Sequence, residues 1–406
     1  MMTTKIMEEN QKSSRLRVFS YAVIFTFLLI LSLLMILVSP PGYYTLNLVN
    51  ENNGKRELIR RRMAGSGDFG NTSRRVLYLW NKAQHNTFFT FNGCKYSNCA
   101  LSYSDYPEDA SYADVVLVPF NSGDTITLQQ SLLYKDTGWP TVWLIISHES
   151  SSYPHNKWHS LYNEFDGDVT FTRDALVYYP WGKSFNRSKE VTNSTINYAA
   201  NKTKGAFAYV SNCDTVGYNR LKLMKELGKY IDVDIFGECT GKVPCPRGDT
   251  GCEAHLHSQY YFYLSWENSL CRDYITEKFW KVLKGDGFYV PVALGGLTTD
   301  EYTDIAPPNS FLHVYNFSTI EQLGGYMNHL KGNPAAFNKY HKWRSHYHVE
   351  RDDALFGCKL CEIANFPQKY KVGLSNVASK FNDKNNCRDL KRSSSFIANI
   401  LSKFFG

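Results

Sequence analysis

The sequence has little excess charge, few cysteines for its length and no phosphate-binding loop motif. Its net charge of +7 is dispersed over 406 residues, so it does not by itself indicate a nucleic-acid-binding protein. Ten cysteines in a chain of this length exclude a small disulfide-rich module. No G-x-x-x-x-G-K-[ST] motif is present, so a ligand with phosphates would need another device to hold its charge. Hydrophobic residues make up 43% and charged residues 20%, a balance that excludes a disordered chain.

A long apolar run lies close to the N-terminus, at residues 18–38, and contains neither charge nor proline. A membrane-spanning helix needs about 20 apolar residues, whereas the apolar part of a signal peptide has about 7–15. Lys12, Arg15 and Arg17 precede the run, and the segment directly after Ser39 is uncharged. By the positive-inside rule we predict a cytoplasmic tail at residues 1–17, one uncleaved signal-anchor helix and a type II orientation.

Glycosylation sequons and cysteines both suit a body that lies in the lumen or outside the cell. The N-x-[ST] sequons are at Asn71, Asn186, Asn193, Asn201 and Asn316. Three of them fall within residues 183–204, which we interpret as an exposed, glycosylated linker. Cys358 and Cys361 have the spacing of half a zinc site, but in an oxidising compartment disulfides are the simpler interpretation of the ten cysteines. Residue spacing alone fixes no pairing.

Short apolar segments alternate with longer mixed segments beyond a polar stem at residues 39–75. Segments rich in β-branched and aromatic residues predict strands at 76–80, 114–120, 141–147, 168–172, 206–212, 232–237, 260–266, 288–294 and 310–317. Helical spacing of apolar residues predicts helices at 219–231 and 320–330. This alternation indicates an α/β fold with two domains, each built on a parallel sheet.

Ligands of such sheets bind beyond the carboxyl ends of the strands, so the segments after the strands are the first candidates for a site. The densest of them is SWENSLCRDYITEKFW, residues 265–280, which directly follows an aromatic strand. Asp273 or Thr276 would cap a helix whose first turn carries Glu277. A helix N-terminus after a buried strand is also a natural phosphate site, so the two interpretations are compatible.

This segment resembles the donor-binding signature of the α-1,3-fucosyltransferases. The similarity begins near residue 76 and continues through residues 287–296 and 301–317 to the C-x-x-C pair. The resemblance implies a GT-B architecture, in which two Rossmann-like domains, residues 76–203 and 204–349, face a cleft. It also implies that residues 350–406 pack back on the first domain. The disulfides that it implies would join Cys94 and Cys99 to Cys358 and Cys361.

The resemblance implies that the second domain binds GDP-β-L-fucose, through Arg220, Asn268, Tyr274, Glu277 and Lys278. Arg220 and Lys278 would stabilise the charge that develops on the β-phosphate as GDP leaves, which makes a metal ion dispensable. Glu277 would either neutralise positive charge on the sugar or hold its hydroxyls. We expect no metal site and no essential cofactor, and the sequence does not decide whether Mn²⁺ or Mg²⁺ stimulates the reaction.

Glu149 is the candidate general base, because it lies just beyond the predicted strand 141–147 in the acceptor-side domain. In the family this position lies in a motif similar to L/M-E-S-P, but here the motif reads HESSS and lacks the proline. Glu149 would take the proton from the 3-hydroxyl of a GlcNAc residue on an N-glycan, core or antennal, in an inverting displacement. The expected partners are GDP-fucose, that glycan and the Golgi membrane, with no nucleic acid.

Two other functions are open at this point. A metal-dependent glycosyltransferase of the GT-A type would hold Mn²⁺ with a D-x-D motif. Both Asp166-Gly-Asp168 and Asp232-Val-Asp234 have that spacing. The non-enzymatic alternative is a membrane-anchored glycan-binding protein whose catalytic site has decayed. The presence together of the expected base and donor-site residues argues against decay.

Overall fold

The structure is a computed structural model that describes residues 75–79, 90–102, 107–119, 130, 132–135, 141–150, 164–191, 196–213, 218–246, 248–371, 377 and 386–387. These residues all belong to one compact unit, Met63–Gly406. The predicted tail, signal-anchor and sequons at Asn71 and Asn193, and all but the last residue of the predicted stem, lie outside the described residues. No helix within the described part is both long and apolar enough to cross a membrane.

The first half of the described chain forms a six-stranded parallel sheet. Its strands are β1 (Arg75–Leu79), β2 (Cys99–Ser102), β3 (Val115–Pro119), β4 (Val142–Ser147), β5 (Gly167–Thr170) and β6 (Val177–Tyr178). Their order across the sheet is β2-β1-β3-β4-β5-β6. The central strands β3 and β4 are buried along their whole length and consist mainly of Val, Leu and Ile. Such unbroken apolar strands are typical of a parallel sheet that is covered on both faces.

The second half forms a five-stranded parallel sheet. Its strands are β8 (Lys204–Tyr209), β9 (Val233–Phe236), β10 (Tyr260–Trp266), β11 (Val290–Leu294) and β12 (Leu312–His313). The order is β12-β11-β10-β8-β9, so the aromatic strand β10 is central. Helices alternate with these strands: α1 (Arg220–Leu227), α2 (Thr250–Ser258), α3 (Glu277–Lys284), α4 (Thr299–Thr303) and α5 (Ile320–Lys331). The predicted α/β fold with two parallel sheets is therefore present.

The end of the described chain returns to the first sheet. Helices α6 (Pro334–Asn338), α7 (Asp353–Asn365) and α8 (Pro367–Tyr370) follow, and β13 (Tyr347–Glu350) pairs antiparallel with β7 (Lys183–Asn186). Phe356 and Leu360 of α7 share one apolar core with Leu77 and Val115 of the six-stranded sheet. Burial of this helix face ties α7 to the first sheet.

All ten cysteines form disulfides, so the zinc interpretation of the C-x-x-C pair is wrong. Cys94 pairs with Cys358 and Cys99 with Cys361, the four cysteines that the resemblance joins. The remaining pairs are Cys213–Cys239, Cys245–Cys252 and Cys271–Cys387. Among the described residues there is also no group of three or more His, Cys, Asp and Glu side chains arranged to hold a metal ion.

Two sequence predictions need correction. The strand predicted at 310–317 is only β12, because His313 Nδ1 accepts the backbone N–H of Tyr315 at 3.2 Å and a 3₁₀ turn follows. The segment 183–204 is not simply an exposed linker, since it begins with β7 and its last turn buries Lys202. The sequon residues Asn186 and Asn201 within it are nevertheless exposed, and so is Asn316.

Candidate active site

The loops that follow β4 and β10 meet at the carboxyl ends of the two sheets. Glu149 lies in the first loop, and the hydroxyl of Tyr274 in the second lies 3.4 Å from its Oε2 atom and donates a hydrogen bond to it. Beside this contact, Ser269 Oγ donates to Ser150 Oγ at 2.5 Å. The structure thus brings the predicted base to the predicted donor-binding segment, although the two are more than a hundred residues apart in sequence.

A helix cap at Thr276 shapes the predicted donor-binding segment. The Thr276 side chain accepts the backbone N–H of Lys278, and α3 begins at Glu277. Thr276 is therefore the cap, and Asp273, the other predicted candidate, lies in a left-handed turn with φ of +60°. The first residues of α3 carry the two charges of the signature, at the helix end where the dipole favours negative ligands.

Glu267, the residue directly after β10, holds the start of α3 through hydrogen bonds to Thr276. Its carboxylate accepts the backbone N–H of Thr276 at 2.8 Å and the Thr276 hydroxyl at 2.8 Å. Lys278 Nζ lies 3.4 Å from the same carboxylate, and Glu267 is wholly buried. Burial raises the pKa of Glu267, while the Lys278 charge and the Thr276 hydrogen bonds oppose this rise and the nearby Glu277 adds to it.

Lys278 lies between two carboxylates. Its Nζ atom is 3.3 Å from Glu277 Oε1 and 2.9 Å from Thr276 Oγ1, in addition to its contact with Glu267. Burial lowers the pKa of Lys278, but the charges of Glu267 and Glu277 outweigh this, so that its pKa is raised overall. Burial also acts on Glu277 and raises its pKa, yet the adjacent ammonium leaves that pKa lowered overall. Lys278 is therefore a fixed cation.

Arg220 supplies a second fixed cation at the start of α1. Asn219 caps this helix through the backbone N–H of Lys222, and the Arg220 side chain is buried. Its guanidinium donates to the carbonyls of Trp266 at 3.0 Å and Asn212 at 2.8 Å. Its Nε atom has no hydrogen-bond partner among the described residues. The Arg220 charge contributes to lowering the pKa of Lys278, so the two cations lie close enough to affect each other.

The residues around Glu149 shift the pKa of its carboxyl group. Burial raises its pKa most, and the Glu277 charge raises it further, whereas the Lys278 charge and the Tyr274 hydroxyl lower it. The balance leaves the pKa of Glu149 above its ordinary value. A carboxylate of raised pKa is a stronger base, which favours proton abstraction from a hydroxyl.

The predicted site residues therefore lie together, with one addition. Asn268 is half-buried beside the cluster, and its Oδ1 atom lies 3.1 Å from Ser269 Oγ. Glu267 was part of the conspicuous segment but was not among the predicted site residues. Its only signal in the sequence is its position directly after an unbroken aromatic strand, where a carboxylate is forced into the interior. Thr276 Oγ1 contacts both Glu267 and Lys278 and completes the network.

The carboxylates of both D-x-D pairs form hydrogen bonds within the fold. Asp166 Oδ2 accepts the backbone N–H of Trp143, and Asp168 accepts the Thr170 hydroxyl. In the second pair, Asp232 Oδ1 accepts from Lys331, and Asp234 Oδ2 accepts from the hydroxyl of Tyr260. These carboxylates flank the amino-terminal ends of strands, away from the cluster around Glu149, which speaks against the GT-A alternative.

Comparison with known proteins gives a consistent result. The family profile described as Glycosyltransferase family 10 (fucosyltransferase) C-term matches residues 199–380. The chain is 28% identical over 316 residues to Alpha-(1,3)-fucosyltransferase fut-1 of Caenorhabditis elegans, covering 75% of this chain and 68% of that relative. It is 30% identical over 264 residues to Alpha-(1,3)-fucosyltransferase 7 of Bos taurus, covering 63% of this chain and 70% of that relative.

Other matches cover less or are more distant. The chain spans only 37% and 38% of the length of two Drosophila melanogaster fucosyltransferases. A solved structure described as Crystal Structure of alpha1,3-Fucosyltransferase is 11% identical, covers 78% of this chain and 95% of its own, and superimposes with a TM-score of 0.49.

Proposed function

This chain belongs to glycosyltransferase family 10, the fucosyltransferases, and we propose that it transfers L-fucose from GDP-β-L-fucose to the 3-hydroxyl of a GlcNAc residue. The acceptor in this proposal is an N-glycan of a glycoprotein, with the fucose added either at the core or on an antenna. The two parallel sheets correspond to the two Rossmann-like domains of a GT-B enzyme, with the donor on the second sheet and the acceptor on the first.

The reaction is a single displacement with inversion. Glu149 takes the proton of the acceptor hydroxyl, and the oxygen forms a bond to C1 of fucose. The bond between C1 and the β-phosphate oxygen breaks, and GDP leaves with the bonding electrons from the opposite face. The β-linked donor thus becomes an α-linked product, and no redox step is involved.

Arg220 and Lys278 stabilise the charge that the leaving diphosphate gains. Arg220 has an Nε donor without a protein partner among the described residues, and guanidinium groups bind phosphate oxygens in a planar fork. Lys278 is a compact charge held at the start of α3. Two fixed cations beneath the leaving group supply the stabilisation for which other glycosyltransferases use a metal ion. We therefore expect transfer to need no divalent cation.

The observation that carries this proposal is the contact of Glu149 with the donor-binding segment. Tyr274 donates to its carboxylate at 3.4 Å, and Lys278 and Glu277 act on its pKa. A general base and the groups that stabilise the leaving group must lie on either side of the same reacting carbon. A glycan-binding protein without catalytic function has no need of such a carboxylate.

The setting follows from parts of the sequence that precede the described residues. Residues 18–38 would anchor the protein in the Golgi membrane in type II orientation, with residues 39–75 as a stem. Glycosylation at the sequons and five disulfides suit a lumenal body.

The test is a transfer assay with the full-length, detergent-solubilised protein. GDP-fucose is offered with a panel of N-glycans that carry a free GlcNAc 3-hydroxyl at the core, in LacNAc or in LacdiNAc, with and without EDTA. We expect α-1,3-fucosylated product and released GDP in both conditions. Complete loss with EDTA that added Mn²⁺ restores would favour a metal-dependent enzyme, and nucleotide binding without any transfer would favour a glycan-binding protein.

Glu149→Gln provides the matched catalytic variant, since it keeps the shape of the side chain and removes only the base. It should bind GDP as the wild type does and lose transfer by about 10²–10⁴-fold. Glu164→Gln is the control, because Glu164 is an exposed glutamate in the same half of the chain. Its Oε2 atom lies 3.8 Å from Lys135 Nζ, so the two side chains form only a weak ion pair. Normal turnover by Glu149→Gln would remove this residue from the mechanism.

A further inference from the structure

An ion pair joins the loops of the two sheets directly beside the site. Arg173 lies in the loop after β5, and Asp273 lies in the turn after β10. The Arg173 Nε atom donates to Asp273 Oδ1 at 2.7 Å, and the backbone N–H of Arg173 donates to Asp273 Oδ2 at 3.1 Å. One residue of the first half thus holds both carboxylate oxygens of a residue of the second half.

Asp273 occupies a backbone conformation that needs such support. Its φ of +60° lies in the left-handed region, which is strained for a residue other than glycine. Asp and Asn tolerate this region better than most residues, because their short polar side chains can form local hydrogen bonds. Here both carboxylate oxygens of the side chain accept hydrogen bonds from Arg173. The ion pair therefore offsets the strain of the turn and fixes the backbone that leads into Tyr274.

Tyr274 is the next residue, and its ring is held on the same side. The Phe171 ring, in the loop that also carries Arg173, meets the Tyr274 ring edge-on at 5.1 Å between centroids. The Cys271–Cys387 disulfide packs against both rings. Because its ring and its backbone are both held, the Tyr274 hydroxyl is oriented toward Glu149, to which it donates a hydrogen bond.

We propose that Arg173 and Asp273 form a clamp between the two halves that positions Tyr274 against the general base, so that Arg173 is a positioning residue for proton abstraction. The clamp does not touch the donor. It acts through Tyr274 on the orientation and the ionisation of Glu149. Glu149 is therefore placed for proton abstraction only when the loop after β5 contacts the loop after β10. This inference rests on the function proposed above.

Other charges near the clamp are weaker contributors. Arg272 Nε is 3.9 Å from Asp273, and Glu301 is 3.6 Å from the Arg173 guanidinium. Arg272 also pairs with Asp174 at 2.7 Å, but both of these side chains are about half exposed, and exposed pairs contribute little. The Arg173 side chain is 44% exposed, but the Asp273 side chain is only 5% exposed, so the carboxylate end of this pair is shielded from solvent.

The experiment compares Arg173→Ala and Asp273→Gly with the full-length wild type. Glycine adopts a positive φ without strain, so Asp273→Gly removes the clamp and leaves the turn relaxed. We expect kcat to fall about 10–100-fold in both, because the base is misplaced, while GDP affinity stays within about twofold.

The acid limb of the rate profile should move to higher pH. Loss of the Tyr274 hydrogen bond leaves Lys278 as the charge that lowers the Glu149 pKa and Glu277 as the one that raises it.

A double-mutant cycle makes the test specific. If the clamp acts through Tyr274, then adding Tyr274→Phe to Arg173→Ala should reduce kcat little further, because residues that act as one unit are not additive. Additive losses would overturn the clamp and leave Arg173 with a merely structural role. Unchanged kcat in a folded Asp273→Gly protein would also overturn it, and this variant decides the matter if Arg173→Ala does not fold.

Asp174→Asn is the matched control, since it breaks the neighbouring Arg272–Asp174 pair between the same two loops. Its kcat and pH profile should stay within about twofold of the wild type, as for an exposed pair. A comparable loss in this control would show that breaking either ion pair between the loops lowers kcat, which contradicts a specific clamp. A wild type that transfers no fucose at all contradicts the proposed function itself, whereas an active wild type with unaffected variants contradicts the clamp alone.

Discussion

Lys278 Nζ lies 3.4 Å from the carboxylate of Glu267, a side chain with no exposure to solvent, while Lys278 itself is 19% exposed. Glu267 belongs to the interior beside the second sheet, and the Lys278 ammonium faces the site. The cation that we propose to meet the diphosphate is therefore held in place by the fold before any ligand arrives. Preorganised charge of this kind is what makes electrostatic stabilisation of a transition state effective.

Lys278→Ala should therefore reduce both stability and donor binding. Removal of one partner of a buried pair leaves the other charge uncompensated, at a cost of about 3–5 kcal/mol, which partial exposure of Lys278 will reduce. The pKa of Glu267 should rise further, because the Lys278 charge is the largest of the effects that oppose burial. Thermal unfolding and GDP titration measure the two effects.

The two effects of Lys278→Ala can be separated with a second variant. Glu267→Gln keeps the side-chain volume and removes the stranded charge, so the double variant Lys278→Ala/Glu267→Gln should regain most of the lost stability. It should not regain GDP affinity, since the cation that meets the diphosphate is still absent. If GDP affinity returns together with stability, Lys278 has only a structural role and the donor assignment is wrong.

Tyr274→Phe should shift the pH dependence of transfer. The Tyr274 hydroxyl lowers the pKa of Glu149, so its removal raises that pKa. The base works only when ionised, hence activity is lost as pH falls through the pKa of Glu149, and the midpoint of this acid limb should move to higher pH. The variant should lose more activity near pH 5 than near pH 8. An acid limb that moves to lower pH, or not at all, would contradict the assignment of Glu149 as the group that titrates.

Much of the second sheet could be predicted because each element has a strong local pattern. Strand β10 is a continuous aromatic and aliphatic run, and α1 and α5 keep helical spacing within about one turn of their predicted ends. The site signature could be placed for the same reason, since it directly follows β10. Its general position beyond the carboxyl end of a parallel strand is a property of the fold class.

Elements that depend on distant partners could not be predicted in this way. Strand β7 reads as a polar segment with a sequon, and it becomes a strand only because β13, more than 150 residues later, pairs with it. Lys202 likewise has no local sign of burial. Its interior position depends on backbone carbonyls of Ser258, Tyr260 and Gly287, which belong to two later segments. Position in three dimensions, and not residue type, decides both cases.

Lys202→Met should destabilise the second sheet without touching the site. The Lys202 ammonium donates to three backbone carbonyls, at 3.1, 2.8 and 3.0 Å, and methionine keeps the bulk of the side chain and the N-x-T sequon but removes all three donors. Unsatisfied buried acceptors cost about 1–3 kcal/mol each, so we expect a total loss of about 3 kcal/mol. Denaturant unfolding measures it. Lys204→Met is the control, as Lys204 is 39% exposed and its pair with Asp234 is 4.0 Å long, so its loss should stay below about 1 kcal/mol.

The disulfides should differ in their contribution to stability according to the chain length that they close. Cys99–Cys361 joins residues 262 positions apart and holds α7 against the first sheet, whereas Cys245–Cys252 spans a separation of only 7. The adjacent Cys94–Cys358 pair closes almost the same loop as Cys99–Cys361, so the long loop opens only when both pairs are removed. Chain-entropy arithmetic gives about 5.5 kcal/mol for that loop and about 2.5 kcal/mol for the short one. Cys94→Ala/Cys99→Ala/Cys358→Ala/Cys361→Ala should therefore lower the unfolding temperature more than Cys245→Ala/Cys252→Ala.

The two long-range pairs also hold a helix whose apolar face, with Phe356 and Leu360, covers the sheet that carries Glu149. Their loss should therefore reduce transfer, while the short-range variant stays active. Peptide maps of the wild type under non-reducing conditions should show both pairs, and free thiols at Cys99 and Cys361 would contradict the arrangement directly.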